Sequence, residues 1–499
     1  MKNPVTRIRP NDNVCIAISP VAAGETVAID GITVQSREQI DVGHKIALFD
    51  LKKGDGVFKY GVRIGSVTMD VPKGSWIHSH NLQTDLKGAL EYSYHPDPVK
   101  QNGDGKKIPT FMGYKRKNGR VGTRNEIWII NSVGCVNRSA ERISQLANQR
   151  FIRDNFDGVF SFSHPFGCSQ LGDDLVNTRA VLGGLARNPN AGAVLVLGLG
   201  CENLQLDNLI KSLTDVDHSR LRFFNSQKVA DEIEEGMKMV EELFDLMKDD
   251  QREEVPVSEL TIGVKCGGSD GFSGISANPL VGRITDALTS YNGRVLQTEV
   301  PEMFGAEQLL MNRAASRSVF ESIVSLINEF KEYFIKYDQP VYENPSPGNK
   351  AGGLTTLEEK SLGAIQKGGS AVITQVLKYG DPITDRGLVL VNAPGNDGVS
   401  STAMTASGAT LLLFTTGRGT PLGFPVPTVK ISTNSDIYKN KPNWIDYNAG
   451  KLLDGEATFE TMTDEFLKYL IDVASGRIKT KNEINGYKEI AIWKTGVTL

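Results

Sequence analysis

Residues 191–203, AGAVLVLGLGCEN, contain an apolar run that ends in glycine and in a polar cluster around Cys201. A run of this kind is typical of a buried parallel strand that leads into a loop. The carboxyl ends of parallel strands form the ligand crevice of an open α/β sheet. Four runs of the chain end this way, so we expect their thiols to lie near one another in a polar site. The other three runs are IINSVGCVN (129–137), FSFSHPFGCSQLGDD (160–174) and LTIGVKCGGSDG (260–271), which contain Cys135, Cys168 and Cys266.

Strand-like and helix-like segments alternate on both sides of this stretch, as in βαβ units that build a parallel sheet. A charged segment that ends near Val255 divides them, so we predict a first α/β domain over residues 111–255 and a second over residues 256–499. Both regions begin with a strand that ends in a cysteine loop, which suggests two related halves. The last residues, EIAIWKTGVTL (489–499), are predicted to form a final strand.

The first 91 residues have a different pattern, with short strand-like runs broken by closely spaced glycine turns. This pattern predicts a small, mostly β domain. Residues 92–110 contain HPDPVKQNGDGKK, whose proline, glycine and charge disfavour a packed core, and they are predicted to be a linker. The predicted fold class is therefore α/β, with a small N-terminal β domain and two parallel-sheet regions.

Bulk composition argues against several classes of function. A formal net charge of −4 over 499 residues gives no field that would favour nucleic acid or an anionic membrane. No apolar run approaches the ~20 residues of a membrane span, and residues 1–13 lack the apolar core of a signal peptide. The five cysteines lack the spacing of a disulfide framework, so we expect reduced thiols and a cytoplasmic protein.

His78 and His80 lie two residues apart in WIHSHNLQTDL (76–86). On a strand, side chains at this spacing point to the same face. The two imidazoles are therefore predicted to act on one ligand, either as metal ligands or as acid and base. The alternative is a surface strand with two solvated histidines. The chain has only six histidines, which favours the functional interpretation, and Asn81 beside them is expected to bind substrate.

The cysteines are candidate metal ligands, because thiolates suit iron and zinc and imidazole suits both as well. They are widely spaced, without a Cys-x-x-Cys pair, which argues against a zinc knuckle or a ferredoxin-type cluster. The alternative for each thiol alone is an inert, buried residue, and this is our expectation for Cys15. The equivalent positions of the other four at strand ends favour a place in the site.

Charged residues in the loops are less specific signals. Carboxylates would suit a hard cation, although each alone is as consistent with a helix cap or a solvated side chain. Cations among glycines would suit a substrate carboxylate. No dinucleotide fingerprint or phosphate loop is present. The candidates are Asp173, Asp174, Glu202, Glu299, Glu302 and Glu307 among the acids, and Arg124, Lys265, Lys350, Arg418 and Lys430 among the bases.

Long strings of this sequence resemble the altronate/galactarate dehydratase family, and together they span essentially the whole chain. The IHSHN string (77–81) is more similar to the altronate-acting branch than to the galactarate-acting branch. The strings are GHKIALFDLKKG, IHSHN, GTRNEIWIINSVGCVN, SHPFGCSQLGDD, GLGCEN, CGGSDGFSGISANP, TEVPEMFGAEQLL, YENPSPGNKAGG, APGND, TGRGTP, PTVKI and GVTL.

The resemblance implies an N-terminal β-clip domain of the SAF type and a requirement for Fe²⁺, with Mn²⁺ as a substitute. It also implies a hydro-lyase that dehydrates D-altronate to 2-dehydro-3-deoxy-D-gluconate. In such a reaction, a metal on the carboxylate and C2 hydroxyl would stabilise the enediolate that forms when a base removes the C2 proton. A general acid would then protonate the departing C3 hydroxyl.

The residue patterns and the resemblance together assign candidate site residues, and they leave open which group is the base and which the acid. As catalytic residues we expect His78, His80, His164 and Lys265; as substrate-binding residues Asn81, Arg124, Lys350, Asn396 and Arg418; and as metal ligands His78, His80, Cys135, Cys168, Cys201, Glu202 and Cys266.

Two alternatives to this function are compatible with the sequence. One is a related lyase that acts on another hydroxy acid, such as galactarate or a sulfonated acid. The other is a non-catalytic sugar-acid-binding protein, since β-clip modules can bind sugars. In each case we expect the partner to be a small sugar acid rather than nucleic acid or a membrane, and a homo-oligomer is allowed.

Overall fold

Nine short strands make up the N-terminal module, as its dense glycine turns predict. The computed structural model describes residues 3–86, 88, 90–97 and 107–499. Two hairpins turn within two residues, at Asp30-Gly31 and Tyr60-Gly61, where all four φ angles lie between 51° and 81°. Glycine adopts such angles without strain, which explains why each turn ends in glycine. The strands are β1 (Val5–Thr6), β2 (Val14–Ala17), β3 (Thr26–Ile29), β4 (Ile32–Gln35), β5 (Lys45–Ala47), β6 (Gly56–Lys59), β7 (Val62–Val67), β8 (Trp76–Ile77) and β9 (Leu82–Gln83).

The histidine pair does not lie on a strand, so that prediction is wrong. Strand β8 ends at Ile77, and the next four residues form a turn in which Asn81 N donates to His78 O at 3.0 Å. The side chain of Asn81 completes this turn, because its Oδ1 accepts from His78 N and its Nδ2 donates to Trp76 O, both at 2.9 Å. Asn81 therefore holds the histidine turn in shape, and its amide is used within the module.

The middle domain contains a four-stranded sheet in the order β13-β12-β14-β15, and all of its strands are parallel. Helices α1 and α4 cover one face and helices α2 and α3 cover the other. The apolar runs therefore form fully covered strands, as expected of parallel sheets. The elements are β10 (Thr110–Lys115), β11 (Val121–Gly122), β12 (Glu126–Asn131), α1 (Asn137–Arg150), β13 (Gly158–Ser161), α2 (Gly172–Ala186), β14 (Ala191–Gly198), α3 (Leu206–Lys211), β15 (Leu221–Asn225), α4 (Glu232–Leu246) and β16 (Glu253–Pro256).

The C-terminal domain contains a seven-stranded parallel sheet in the order β19-β20-β18-β17-β21-β22-β23. Its first elements are β17 (Thr261–Cys266), α5 (Ala277–Ser290), β18 (Arg294–Gln297), α6 (Glu307–Met311), α7 (Arg317–Lys336), α8 (Pro347–Ala351), α9 (Leu357–Ala364), β19 (Ile373–Leu377) and β20 (Gly387–Val391). They are followed by α10 (Asp397–Ala406), β21 (Leu411–Thr416), β22 (Thr428–Ser432), α11 (Ser435–Asn440), β23 (Tyr447–Asn448), α12 (Lys451–Asp454), α13 (Phe459–Ala474) and α14 (Lys481–Ile484). No helix in the described ranges has the length and apolar character needed to cross a membrane.

These sheets confirm the predicted fold class of a small β module and two parallel α/β regions, whereas the relation between the two halves stays a prediction. Two tyrosines anchor the first part of the predicted linker. Tyr92 donates its hydroxyl to Glu307 at 2.6 Å, and Tyr94 donates to Ala314 O at 2.9 Å. Composition alone predicted no packing there, and residues 98–106 of the linker lie outside the described residues.

The final strand predicted at residues 489–499 is wrong. The segment forms a single bridge between Thr498 and Gln170, and Leu499 N donates to Ser169 O at 3.0 Å. Its apolar residues instead pack in the core, where Ile492 is buried and Trp493 stacks on Phe330. The chain end is thereby tied to the middle domain.

Arg124 anchors the C-terminal segment to the middle domain, although the sequence suggested that it binds substrate. Its Nε lies 2.5 Å from Glu483 Oε1, and its Nη1 donates to Val473 O at 3.0 Å. Both partners of the ion pair are buried. Burial alone would raise the pKa of Glu483, but the Arg124 guanidinium outweighs it and lowers the pKa to about 2.

We expect Glu483→Gln to lower the free energy of unfolding at pH 7 by on the order of 3 kcal/mol. A depressed pKa stabilises the fold only while the carboxylate is ionised. The contribution is therefore complete above the ordinary pKa of 4.5 and is lost as the pH falls toward about 2. Urea unfolding at several pH values should show the variant and the parent converging in acid. Asp472→Asn, in the partly exposed Asp472–Arg477 pair, is the control and should cost less than about 1 kcal/mol.

Candidate active site

The strand order of the C-terminal sheet changes direction beside β17, where an open α/β sheet forms its ligand crevice. From β17 the chain continues to β18 on one side, whereas β21 and β22 lie on the other side. The loops that follow β17, β18 and β20 therefore meet at this carboxyl edge. They bring lysines and carboxylates into contact below the surface.

Lys265, near the end of β17, lies at the centre of this cluster. Its Nζ is 2.5 Å from Glu299 Oε1 and 3.0 Å from Asp397 Oδ1. A second lysine, Lys367, places its Nζ 3.0 Å from Glu299 Oε2 and 3.0 Å from Cys266 Sγ. The side chains of both lysines are buried, so their ammonium groups depend on these partners for solvation.

A third lysine extends the cluster toward the helices above the sheet. Lys360 Nζ is 2.8 Å from Glu302 Oε1 and donates to Asn344 Oδ1 at 2.9 Å. Cys266 Sγ lies 3.4 Å from Glu302 Oε2 and so joins the two parts. The formal charges of the cluster cancel, because three ammonium groups face three carboxylates. These are Lys265, Lys360 and Lys367, and Glu299, Glu302 and Asp397.

The electrostatics of the cluster keep its ions charged and its thiol neutral. Burial alone would lower the pKa of Lys265, but Glu299 and Asp397 outweigh it and raise the pKa well above the ordinary value. Burial would raise the pKa of Glu302, but Lys360 and Lys265 lower it to about 2. Burial, reinforced by Glu299, raises the pKa of Cys266 to about 12. Lys265 is therefore suited to stabilising an anion with its fixed charge rather than to transferring a proton.

Glu299 is held in an unusual backbone conformation, with φ 71° and ψ 53°. Residues other than glycine rarely adopt this left-handed region, and such strain is concentrated at functional sites. The conformation directs the Glu299 carboxylate at both Lys265 and Lys367. The strained position therefore supports a functional role for the cluster.

Cys266, Glu299 and Glu302 are also the one group of three thiol, imidazole or carboxylate ligands in the described residues whose donor atoms lie within 4.8 Å of one another. Each donor already contacts a lysine ammonium. A divalent cation would add two positive charges to a neutral cluster shielded from water, where the Coulomb cost is high. The buried cluster therefore does not fit a resident divalent metal ion, and Cys266 does not fit the predicted role of ligand.

Helix α8 connects this cluster to the N-terminal module. Lys350 O lies 2.9 Å from His78 Nε2, and the neighbouring Asn349 Oδ1 accepts from Lys360 at 3.2 Å. Asn349 also donates to Ser269 O, in the loop after β17, at 2.8 Å. The predicted docking of the β module over the α/β crevice is thus seen, with α8 between the two.

His78 and His80 differ in whether their ring nitrogens form hydrogen bonds. His78 Nε2 contacts Lys350 O, and its Nδ1 lies 2.9 Å from Ser79 Oγ. Burial lowers the pKa of His78 below its ordinary value, which keeps the ring neutral. His80 is exposed and packs on Trp76 at 5.1 Å between ring centroids, without a hydrogen bond from its ring to any described residue. Only His80 therefore presents a free imidazole.

Three of the predicted substrate-binding residues lie around the same edge. Arg418 is exposed, and its Nη1 lies 3.5 Å from Gly348 O in α8. Lys350 is half-buried on the same helix. Asn396 caps α10 by accepting from Val399 N at 3.1 Å, next to Asp397 of the cluster. A cleft of about 560 Å³ between the β module and the C-terminal domain is lined by Arg418 and by the end of α8.

The other predicted site residues belong to the middle domain. Cys135, Cys168 and Cys201 are exposed at the carboxyl ends of β12, β13 and β14. Glu202 is buried and accepts from Ser132 Oγ at 2.5 Å and from Gly200 N at 2.6 Å. Burial alone would raise the pKa of Glu202, but these hydrogen bonds lower it. Glu202 therefore supports its loop and has no free oxygen directed at a ligand.

His164 is likewise engaged within the middle domain. Its Nε2 lies 2.9 Å from Asn131 O and its Nδ1 accepts from Phe166 N at 3.1 Å. Burial lowers the pKa of His164 despite the contact with Asn131. This neutral ring holds two loops together and does not reach the lysine cluster, contrary to the predicted catalytic role.

Two lysines of the site were not predicted from the sequence. Lys360 and Lys367 lie in LEEKSLGAIQKGG (357–369), which has neither a strand-end pattern nor a loop composition. The useful signal is burial: α9 is buried at all eight positions, including its charged ones. Charged residues are almost never buried without partners, so a helix buried on all sides that still carries lysine indicates a polar site.

Ordered ammonium and carboxylate groups at the ligand edge of a parallel sheet serve proton transfer on a bound anion. Fold and site together define an enzyme. Fixed ammonium groups can stabilise the enediolate that forms when a proton is removed beside a carboxylate, and lyases that eliminate water use such an intermediate.

Comparison with known proteins also indicates a lyase. The chain belongs to the D-galactarate/altronate dehydratase family. Three family models match in succession: the altronate/galactarate dehydratase SAF domain at residues 3–85, the D-galactarate dehydratase/altronate hydrolase second domain at 113–248, and the D-galactarate/altronate dehydratase C-terminal domain at 257–498. The predicted family resemblance is thereby confirmed.

Three relatives match the chain over nearly its full length. The chain is 50% identical over 498 residues to the altronate dehydratase of Bacillus subtilis (strain 168), covering 99% of each. It is 47% identical over 500 residues to the altronate dehydratase of Escherichia coli (strain K12), again over 99% of each. It is 34% identical over 514 residues to the galactarate dehydratase (L-threo-forming) of the same E. coli strain, covering 98% of this chain and 96% of that protein.

Proposed function

We propose that the enzyme dehydrates D-altronate to 2-dehydro-3-deoxy-D-gluconate by removing the C2 proton and expelling the C3 hydroxyl. The observation that carries the proposal is the buried cluster of Lys265, Lys360 and Lys367 with its carboxylates. The similarity to two altronate dehydratases at 47% and 50% identity supports altronate as the substrate over galactarate, whose dehydratase is 34% identical.

The lysines of the cluster meet the charge that the reaction develops. Removal of the C2 proton transfers negative charge to the substrate carboxylate, and the resulting enediolate needs ordered cations. Lys265 is held charged by Glu299 and Asp397 and is already fixed in place, so little reorganisation is needed at the moment of reaction. The ammonium group stays charged while it stabilises the enediolate, because Glu299 and Asp397 raise its pKa well above the ordinary value.

The base in this proposal is His80 of the N-terminal module. Its imidazole is free and lies in the turn that α8 connects to the cluster. His78, whose two nitrogens are engaged, orients the turn. Arg418 and Lys350 supply the cations for the substrate carboxylate at the mouth of the cleft, where glycines allow close approach of the backbone.

Iron remains part of the proposal, and bound iron would supply a Lewis acid for the departing hydroxyl. The residues that fit it are Cys135, Cys168 and Cys201, which are exposed, rather than the buried cluster. Thiolates favour iron, whereas manganese prefers carboxylate and carbonyl oxygens. This donor set therefore favours iron over manganese.

The test is turnover by the anaerobically purified enzyme on altronate, galactarate and mannonate. Formation of 2-keto acid, followed as its semicarbazone, should be fastest with altronate, and the product mass should be one water lower than the substrate. Faster turnover of galactarate would overturn the substrate assignment. Binding of altronate without any 2-keto acid, in iron-loaded protein, would overturn the reaction.

We expect His80→Ala to lower kcat on altronate by about 10²–10³-fold with little change in thermal stability, because a free, exposed imidazole acts only in chemistry. His78→Ala should lower the melting temperature and raise KM as well, because it removes the contact between the β module and α8. Thermal unfolding separates the two, since only His78→Ala should lower the melting temperature. Equal effects of both variants on kcat and stability would contradict this division of roles.

A further inference from the structure

Three Gly-Cys pairs recur at equal intervals of the chain, at residues 134–135, 167–168 and 200–201. Each pair follows one of the strands β12, β13 and β14, which are neighbours in the order β13-β12-β14. Adjacent strands are about 4.8 Å apart, and all three are parallel, so the three thiols emerge along one edge. The strand order changes direction at β12, and this edge is therefore the ligand crevice of the middle sheet.

The glycines of these pairs allow the three loops to approach closely. A Cβ on Gly134 would lie 2.8 Å from His164 O, and one on Gly167 would lie 2.0 Å from Ser132 O. Gly200 has φ 131°, which a residue with a side chain rarely adopts, and its Cβ would lie 2.8 Å from Gln227 Oε1. The backbone is thus compressed immediately before each cysteine.

Hydrogen bonds join the cysteine loops to one another. Gly134 N donates to Phe166 O at 2.9 Å and connects the first loop to the second. Leu204 N donates to Gly167 O at 2.9 Å, and Ser169 N donates to Asn203 Oδ1 at 2.7 Å, which connects the second to the third. The three thiols are therefore held in fixed relation by their backbones.

The thiols themselves are exposed, unlike the other two cysteines of the chain. Cys135, Cys168 and Cys201 are exposed, whereas Cys15 and Cys266 are buried. Free cysteine is among the most buried residue types. Three exposed thiols on interlocked loops, at a ligand crevice, are not explained by packing and indicate a bound group that thiolates hold.

The spacing of the thiols distinguishes a single ion from a larger group. Ligands of one tetrahedral ion at about 2.3 Å lie about 3.8 Å apart. The only triad within 4.8 Å among the described residues is the buried one at Cys266, so the three exposed thiols are more widely spaced. Thiolates that bind different irons of an iron–sulfur cluster are farther apart than ligands of one ion, and three cysteines leave one iron of a cubane without a protein ligand.

The thiol edge and the lysine cluster face the same side of the molecule. Helices α2 and α10 each begin at the carboxyl edge of their sheet and pack side by side, with Gly184 against Ala406 at their carboxyl ends. The C-terminal segment also connects the two helices, because Ala491 N donates to Thr402 Oγ1 of α10 at 3.0 Å and Thr495 N donates to Asp174 Oδ1 of α2 at 2.8 Å. Asp397 at the start of α10 contacts Lys265, and α2 starts just after Cys168.

We propose that Cys135, Cys168 and Cys201 bind a cubane iron–sulfur cluster, with the fourth iron open to a hydroxyl of the substrate. The role of the open iron rests on the proposed dehydration, whereas the cluster site itself does not. The cluster acts without a change of oxidation state. The substrate would lie between the open iron and the lysines. The departing hydroxyl would then face the iron, and the negative charge of the enediolate would face the lysines.

The test is anaerobic reconstitution of the full-length enzyme with ferrous iron and sulfide. We expect about four irons and four acid-labile sulfides per chain, visible thiolate-to-iron absorption, and a Mössbauer spectrum in which one iron changes on adding altronate. Cys135→Ser, Cys168→Ser and Cys201→Ser should each lower bound iron and sulfide at least several-fold. Cys15→Ser is the control and should retain both. Unchanged thermal unfolding of the cluster-free proteins would show that the variants still fold.

The outcomes separate this proposal from the proposed function. Iron without sulfide, zinc alone, or iron that is lost only on Cys266→Ser would overturn the cluster. Full altronate dehydration by protein free of iron and sulfide would overturn the role of the open iron, while leaving the function intact. A cluster that forms on the three thiols in a protein without dehydratase activity would support the site and overturn the function.

Discussion

Lys265→Met is expected to lower kcat on altronate by about 10²–10³-fold, the effect of removing one fixed group that stabilises developing charge. Methionine keeps most of the unbranched side chain but removes the ammonium group that Glu299 and Asp397 hold at 2.5 and 3.0 Å. Steady-state kinetics with altronate measure the effect directly.

A matched control separates this catalytic loss from the cost of removing any buried lysine. Lys331 is as buried as Lys265, and its Nζ lies 2.7 Å from Glu307 at the interface with Tyr92. Lys331→Met should therefore lower stability but leave kcat within a few-fold of the parent. If Lys265→Met and Lys331→Met reduce turnover equally, Lys265 has only a structural role.

Periodicity in the sequence predicted the two parallel sheets because their strands are covered on both faces. The runs at β12, β14, β17 and β21 are mostly apolar and are buried at nearly every position, and each ends at a glycine or a polar loop. Such strands can be recognised from the local sequence alone. Their prediction therefore does not depend on contacts between distant residues. The same local pattern placed Cys135, Cys168 and Cys201 at strand ends.

The site was harder to predict because it depends on contacts between distant residues. Lys360 and Glu302 are 58 positions apart, and Lys367 reaches Cys266 across 101 positions. No local pattern marks these lysines. In the same way, Arg124 looked like a substrate ligand until Glu483, 359 positions away, provided its partner.

The cysteines show that wide spacing in the sequence does not exclude a shared edge in the fold. The absence of a Cys-x-x-Cys pair argued against an iron–sulfur cluster, because that motif brings thiols together within one loop. A parallel sheet achieves the same result with one thiol per βα unit, since neighbouring strands deliver their loops to one edge. The interval between Gly-Cys pairs is therefore the length of one βα unit.

Glu359→Gln is expected to destabilise the protein by about 3–5 kcal/mol, which is the cost of leaving buried charge unpaired. Glu359 Oε2 lies 2.8 Å from Lys45 Nζ and its Oε1 lies 2.7 Å from Lys59 Nζ, and all three side chains are fully buried. Both lysines come from the N-terminal module, whereas Glu359 lies in α9. Burial already lowers the pKa of Lys45 to about 8, despite the carboxylate.

Urea unfolding at pH 7 measures this loss, and limited proteolysis near residue 90 reports whether the β module separates first. The adjacent Glu358→Gln is the control. Glu358 accepts hydrogen bonds from Thr84 Oγ1 and Asp85 N at 2.9 and 2.8 Å but forms no ion pair with a lysine among the described residues. A neutral amide oxygen can still accept these hydrogen bonds, so Glu358→Gln should cost about 1 kcal/mol.

The triple variant Lys45→Met, Lys59→Met, Glu359→Leu tests whether unpaired buried charge is the cause of the lost stability. Removing all three charges leaves none unpaired, and apolar side chains of similar volume commonly replace a buried ionic group without loss. The triple variant should therefore recover most of the stability that Glu359→Gln loses. If it is as unstable as the single variant, the module is held by the specific geometry of these ion pairs. If Glu359→Gln matches Glu358→Gln, the two lysines find other partners and the network does not hold the module in place.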